Sequence, residues 1–243
     1  RVANRAAVSP DYRNNTVGFR IARALVPGES ASVPALDATP CPTCLQDFHG
    51  YPLVQLDSPD GKAVEATLIS EREAAGLFNE LRQRTGMLYE FDPDGAMARS
   101  TLLVLALEKK GIVTGKAWLY GKLVYPSKYL GKTHSWEFDV APVLPVKTAN
   151  GVVAQVFDPV LFDKPVPFGV WKKFFLADKD SRIDKALFSD RHFFGYDGNE
   201  PMIVTEPAVY YVAWLEDALE YLQDLQDIKA KIDSQLRQNK TRQ

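Results

Sequence analysis

The spacing of apolar and polar residues changes several times along the chain, and each change marks a predicted element. Val17-Gly18-Phe19-Arg20-Ile21-Ala22 alternates and predicts a short strand. Leu53-Val54-Gln55-Leu56 and Val64-Glu65-Ala66-Thr67-Leu68 flank the turn signal Ser58-Pro59-Asp60-Gly61, so residues 51–69 read as a hairpin. The period then becomes helical. Ser70-Glu71-Arg72-Glu73 has capping-box spacing, and Ala74, Leu77, Phe78 and Leu81 share one face of a helix predicted through Arg84. A second helix is predicted from Asp94, as its N-cap, to Lys110, with Gly111 as the stop. Its centre, Leu102 to Leu107, is apolar all round, which predicts burial on every side. Strand-like runs follow at Lys116–Leu123, Ser135–Val146 and Val152–Phe157, and Trp171-Lys172-Lys173-Phe174 suggests a short helix on the sheet. From Pro207 a long helix carries Leu215, Leu219, Leu222, Leu225, Ile228, Ile232 and Leu236 on one broad stripe, expected to pack on its own domain. Helices followed by antiparallel strands predict an α+β fold with a central buried helix on the sheet and a long C-terminal helix.

Composition bounds what such a chain can be. With 243 residues, 46% apolar and 25% charged, it can bury a sizeable core and is neither disordered nor collagen-like. A net charge of −2 carries no basic footprint for nucleic acid or an anionic membrane surface. No run of about 18 apolar residues predicts a membrane-spanning helix. Two cysteines cannot build a disulfide-dense scaffold. Pro27, Pro34, Pro40 and Pro42 among small residues make 26–50 a linker. The chain begins at Arg1, so it reads as a piece of a longer polypeptide, with any targeting signal upstream.

Two stretches resemble known families. Arg1-Val2-Ala3-Asn4-Arg5 and Asp11-Tyr12-Arg13-Asn14-Asn15-Thr16-Val17-Gly18-Phe19-Arg20 resemble the closing segment of formylglycine-generating enzyme (sulfatase-modifying factor) domains. The resemblance implies that residues 1–25 are the C-terminal remnant of such a domain. That family's reactive cysteines would precede Arg1, so no formylglycine chemistry is expected. The second resemblance runs over about residues 71–200. Leu77-Phe78-Asn79-Glu80-Leu81, Tyr89-Glu90-Phe91-Asp92-Pro93-Asp94-Gly95-Ala96-Met97-Ala98-Arg99, Trp118-Leu119-Tyr120-Gly121-Lys122-Leu123, Ser135-Trp136-Glu137-Phe138-Asp139-Val140-Ala141 and Val156-Phe157-Asp158-Pro159-Val160-Leu161-Phe162 are similar, in order and spacing, to the bacterial protein-glutaminase family. This implies a papain-like thiol hydrolase core over residues 51–243. It also implies a glutamine-bearing protein or peptide as partner, with neither nucleic acid nor membrane. No cofactor or metal is expected, and the family resemblance is compatible with a secreted or cell-envelope location.

Deamidation of a glutamine side chain needs a thiolate, a base that activates it and protonates the leaving ammonia, and a group that orients the base. The resemblance places the nucleophile at the start of the buried helix, where the dipole lowers a thiol pKa and free N–H groups can hold an oxyanion. On this chain the nucleophile position is Ala96, the imidazole position Asp139 and the orienting carboxylate Asp158, with Asp94, Gly95 and Trp136 in the groove. A methyl group cannot attack a carbonyl. The leading expectation is a catalytically degenerate domain that keeps a peptide-binding groove. One alternative is an active deamidase whose cysteine was replaced by Ala96. Another is a hydrolase using the Asp139/Asp158 carboxyl pair, with or without a metal. The two carboxylates are expected either as separate hydrogen-bonded groups or as a close pair.

Other chemistry-bearing residues are weaker candidates. His134 lies five positions before Asp139, an odd offset that puts it on the other strand face, so it reads as a solvent-facing strand-start residue. His49 and His192 read as surface residues. Ser100 follows Ala96 by one helical turn but lacks an imidazole partner. Cys41-Pro42-Thr43-Cys44 with His49 is half of a zinc-knuckle pattern or a redox pair, more simply free thiols or one local disulfide.

Overall fold

The computed structural model describes residues 50–193 and 207–240, all within the unit Val33–Gln243. The predicted strand at 17–22, the linker, Cys41, Cys44 and His49 lie outside the described residues.

The hairpin forms as expected. β1 (Leu53–Asp57) and β2 (Ala63–Thr67) pair antiparallel with Leu53 opposite Thr67. Gly61, at φ +82°, closes the turn by donating its N–H to the Ser58 carbonyl at 2.9 Å. β3 (Ile69–Ser70) runs straight into α1 (Glu71–Arg82). The capping box is complete: Glu73 N donates to Ser70 Oγ at 3.3 Å, and Ser70 N donates to the Glu73 carboxylate at 2.8 Å. α1 ends two residues short of the predicted Arg84, within the usual fraying of a helix end.

α2 (Ala96–Glu108) is the central helix, and Ala98 through Glu108 are buried without interruption. Its start differs from the sequence expectation. Gly95, in the left-handed region at φ +94°, is the N-cap residue, and no side chain caps the helix. The Asp94 carboxylate is engaged elsewhere, accepting from Gly95 N at 2.6 Å and from the Tyr221 hydroxyl at 2.7 Å. A residue at +94° sets the chain direction at this corner, and only glycine does so without strain.

β4 (Gly115–Ser127) and β5 (Lys132–Thr148) form a long hairpin at the centre of a six-stranded sheet. β6 (Gly151–Val156) and β7 (Val166–Pro167) extend it beyond β5, and β8 (Arg182–Asp190) pairs with the outer edge of β4. All these pairings are antiparallel; β3 adds a short parallel contact at Val146–Lys147 of β5. β4 and β5 extend beyond the predicted runs because their polar outer ends still pair, down to Ser127 opposite Lys132. β8 was not predicted. Its Arg182-Ile183-Asp184-Lys185 half is mostly exposed and polar, and pairing with β4 makes it a strand.

Residues alternate between the two sheet faces. Ala117, Leu119, Leu123, Ala141 and Val143 join a core with Trp171 and Phe175 of α3 (Phe168–Phe175) and with Leu56 and Val64 of the hairpin. Leu144 and Val146 pack into a core with α1, α2 and α4 (Pro207–Lys240). Along α4, Ala218, Leu222 and Leu225 are buried, whereas Ile228 and Leu236 are exposed, so the buried stripe is narrower than the sequence period implied. The architecture is α+β, as expected. Among the described residues no helix is long and apolar enough to cross a membrane.

Gly121 sits where the β4 register shifts, at φ +146°, and a Cβ there would come within 2.1 Å of the Arg182 carbonyl oxygen. Gly121→Ala combines a disfavoured backbone conformation with a backbone clash on β8, and is expected to cost about 2–4 kcal/mol. Urea denaturation at matched m-value checks this, with Gly131→Ala, where the added atom meets open space, as the comparison for φ alone.

Candidate functional site

Ala96, Arg99, Ser100 and Leu103 recur at helical spacing and line one side of a cavity at the start of α2. Trp136, Phe138 and Asp139 of β5 and Phe157 and Asp158 after β6 line the rest, around about 540 Å³ of empty space counted out to its open mouth. The first intrahelical bond of α2 runs from Arg99 N to Gly95 O at 3.0 Å. The N–H groups of Ala96, Met97 and Ala98 therefore precede the helical ladder, at the positive end of the helix dipole.

Arg99 is the one cation inside this helix and is 4% exposed. Its guanidinium donates to the Phe91 carbonyl at 3.2 Å and to the Asp94 carbonyl, while its Nε has no hydrogen-bond partner. Burial pulls its proton affinity down, and the carboxyl groups of Asp158, Asp94 and Asp139 oppose that shift.

Asp158 is held from three directions. One carboxylate oxygen accepts from Val160 N at 3.1 Å and Leu161 N at 3.2 Å, and the other accepts from Trp171 Nε1 at 3.0 Å. Desolvation raises its pKa, and those donors together with Arg99 pull it back. Asp139 is half-buried and accepts one hydrogen bond, from the N–H of Val140 at 2.9 Å. Desolvation first, and then the Asp158 carboxylate, hold its pKa well above the ordinary carboxylate range. Asp158 has the better donors and is the better placed of the two to hold a negative charge. Burial also raises Asp94, against the Tyr221 hydroxyl, Gly95 N and Arg99. Ser100 is 1% exposed, and its Oγ has no partner.

The structure thus brings Ala96, Asp139, Asp158, Asp94 and Trp136 to one cavity. Gly95 adjoins it; a Cβ there would fall 2.5 Å from Leu225 Cδ1 and 2.6 Å from an Arg99 nitrogen. Asp139 and Asp158 line the same cavity, and the Asp158 carboxylate helps to hold the Asp139 pKa up. Two histidine expectations are corrected. His134 is absent from the cavity lining, but it is half-buried: its Nε2 lies 3.1 Å from the Pro93 carbonyl and its ring stacks on Trp136. His192 is also half-buried, with Nε2 3.0 Å from the Glu108 carboxylate. In both cases packing against another element covered a histidine that sequence context placed in water.

Trp171, expected as a sheet-core or groove-wall aromatic, is buried and holds Asp158 through its indole N–H. Arg99 and Tyr221 were not anticipated as parts of the site. Arg99 had a signal: it is the single basic residue in a helix that is otherwise nearly apolar. Tyr221 had none, because α4 reaches the site only through tertiary packing. Among the described residues, no three His, Cys, Asp or Glu side chains converge as metal ligands.

Residues 74–175 match a protein-family model described as Glutaminase. The crystal structure of a protein-glutaminase superposes with a TM-score of 0.54 at 16% identity, covering 64% of this chain and 89% of that one. The NMR structure of protein-glutaminase from Chryseobacterium proteolyticum gives 0.50 at 20% identity, over 57% and 82%. A pro-protein-glutaminase gives 0.51 at 17% identity, over 63% and 58%, so the match spans little more than half of that longer chain. No curated protein sequence matches. The chain contains a glutaminase-like domain with the protein-glutaminase fold.

The buried carboxyls make stability pH-dependent in a defined direction. A carboxyl whose folded pKa is raised costs nothing below its unfolded pKa, about 4, where it is neutral in both states. The cost accumulates as pH rises from there through the folded pKa. Asp139→Asn is therefore expected to raise the melting temperature, with a larger gain at about pH 8 than at about pH 4. Thermal melts of the two proteins across that range check the sign.

Proposed function

We propose that this domain binds a protein or peptide segment in the groove at the start of α2 and does not hydrolyse an amide there by the thiol route. One observation carries the reading. Ala96 occupies the first position of α2, facing a cavity that also receives Asp139 and Asp158, and among the described residues its lining includes neither cysteine nor histidine. Other elements of an acyl-transfer site have counterparts: N–H groups at a helix start, an anchored carboxylate and aromatic walls. Among the described residues, the thiolate that would attack a carbonyl and the imidazole that would carry the proton have none. The matched structures are those of protein-glutaminases, which supports a protein as the partner.

The resemblance of Arg1–Arg20 supports reading residues 1–25 as the end of a formylglycine-generating-enzyme-like domain, joined by a linker over 26–50 to the glutaminase-like domain from 51 onward.

Ammonia release from casein by four proteins tests the function. The chain as given, Ala96→Cys and Asp139→His are expected to be silent, and the double variant is expected to release ammonia. The unmodified domain should still bind casein. Turnover by Ala96→Cys alone would establish instead a deamidase lacking only its nucleophile. Turnover by the unmodified chain, lost on Asp139→Asn, would establish the carboxyl pair as the working group.

A further inference from the structure

The cavity carries more acid than an empty remnant needs. Asp94, Asp139 and Asp158 line it, against one cation, Arg99. That guanidinium is committed to the backbone carbonyls of Phe91 and Asp94, on the Asp94 side. Asp158 is satisfied by two backbone N–H groups and an indole N–H. Asp139 has only the donor of its neighbour Val140. Close by, the Ser100 Oγ is buried, lines the same cavity and has no partner. A carboxyl group with acceptor capacity to spare and an orphan hydroxyl therefore share one space. Trp136, Phe138 and Tyr125 add aromatic walls.

We propose that this cavity receives a primary ammonium group, as on a lysine side chain, in preference to a carboxamide. The proposal rests on the reading that the groove still binds protein segments, and it names the side chain the groove now selects. An ammonium has three donors and no acceptor. The Asp139 carboxylate and Ser100 Oγ supply two of the acceptors it requires, and aromatic faces stabilise a cation at the mouth. The methyl of Ala96 leaves room where a longer side chain would stand. A carboxamide needs donors as well as acceptors and gains less from the carboxyl excess. A carboxylate ligand would be repelled by the pair.

The proposal fixes the sign of a pH dependence. Asp139 faces Asp158 beyond β6, Arg99 on α2 and Tyr125 on β4, with Asp92, Asp94 and Tyr89 on the loop before α2 and His134 of β5 acting on Asp94. Both tyrosines are raised by burial and stay neutral, and the Asp139→Asn variant separates Asp139 from the other titratable groups. The raised pKa of Asp139 means that an incoming ammonium displaces its proton. Affinity for a cation therefore rises with pH, affinity for a neutral carboxamide is nearly flat, and affinity for a carboxylate falls.

The test uses the chain as given and four blocked pentapeptides of glycine with Lys, norleucine, Gln or Glu at the centre, titrated by calorimetry at about pH 8 and about pH 5. The lysine peptide should bind about tenfold tighter than the norleucine peptide at the higher pH, the size of one charge-assisted hydrogen bond. The advantage should shrink at the lower pH, while lysine keeps its charge. Asp139→Asn should remove the lysine advantage and its pH dependence, and Ser100→Ala should reduce it. If glutamine binds and lysine binds no better than norleucine, the ammonium proposal falls and the groove reading stands. If none of the four peptides nor casein binds, both fall. The pH series on the unmodified chain decides the matter even if a variant fails to fold.

Discussion

The rest of the structure depends on the burial of α2 on every side. A helix sheathed by β5 and α4 cannot leave a charge unpaired, because the desolvation of an isolated ion far exceeds what the fold has to spare. α2 nevertheless carries two ionised side chains, one near each end, and each is met by a partner from elsewhere. At the C-terminal end, Glu108 pairs with Arg191 and His192, just past β8. The Arg191 guanidinium offsets both the carboxylate and the negative end of the helix dipole, and together with the His192 ring it holds Glu108 below its ordinary pKa despite burial. At the N-terminal end, Arg99 is met by backbone carbonyls and by the carboxyl groups of the cavity. The cavity is thus part of the solution to burying α2 as well as the candidate site.

This dual role gives two of the cavity's acidic residues different physical standing. Asp158 balances Arg99 and is itself built into the loop after β6 and onto Trp171 of α3. Removing it would leave a buried guanidinium without its main counter-charge. Asp139 carries no such structural duty: it has few donors, opens onto the cavity and is destabilised by its neighbour.

Much of the fold was legible along the chain. The hairpin, the capping box at Ser70, the fully apolar helix centre and the three central strands are local statements, set by period, turn chemistry and caps. What failed was tertiary in origin. Asp94 has the right chemistry for an N-cap, yet Gly95 takes the position, because Tyr221 of α4 claims the carboxylate and α4 itself packs against the glycine. β8 looked too polar for a strand, and the open edge of β4 made it one. The exposed Ile228 and Leu236 carry the right period on a helix whose buried face is narrower than its apolar stripe.

The sequence by itself determined which residues are candidates: the resemblance assigned Ala96, Asp139 and Asp158 to corresponding positions, and their chemistry already argued against thiol hydrolysis. Only the tertiary structure decided what those residues became. Whether two carboxyls 19 positions apart repel or ignore each other depends on desolvation and distance, which no spacing rule supplies. Whether a serine one turn along a helix is paired or orphaned depends on what lies opposite. Charge type is written residue by residue, but pKa, partnering and room for a ligand are properties of the packed interior.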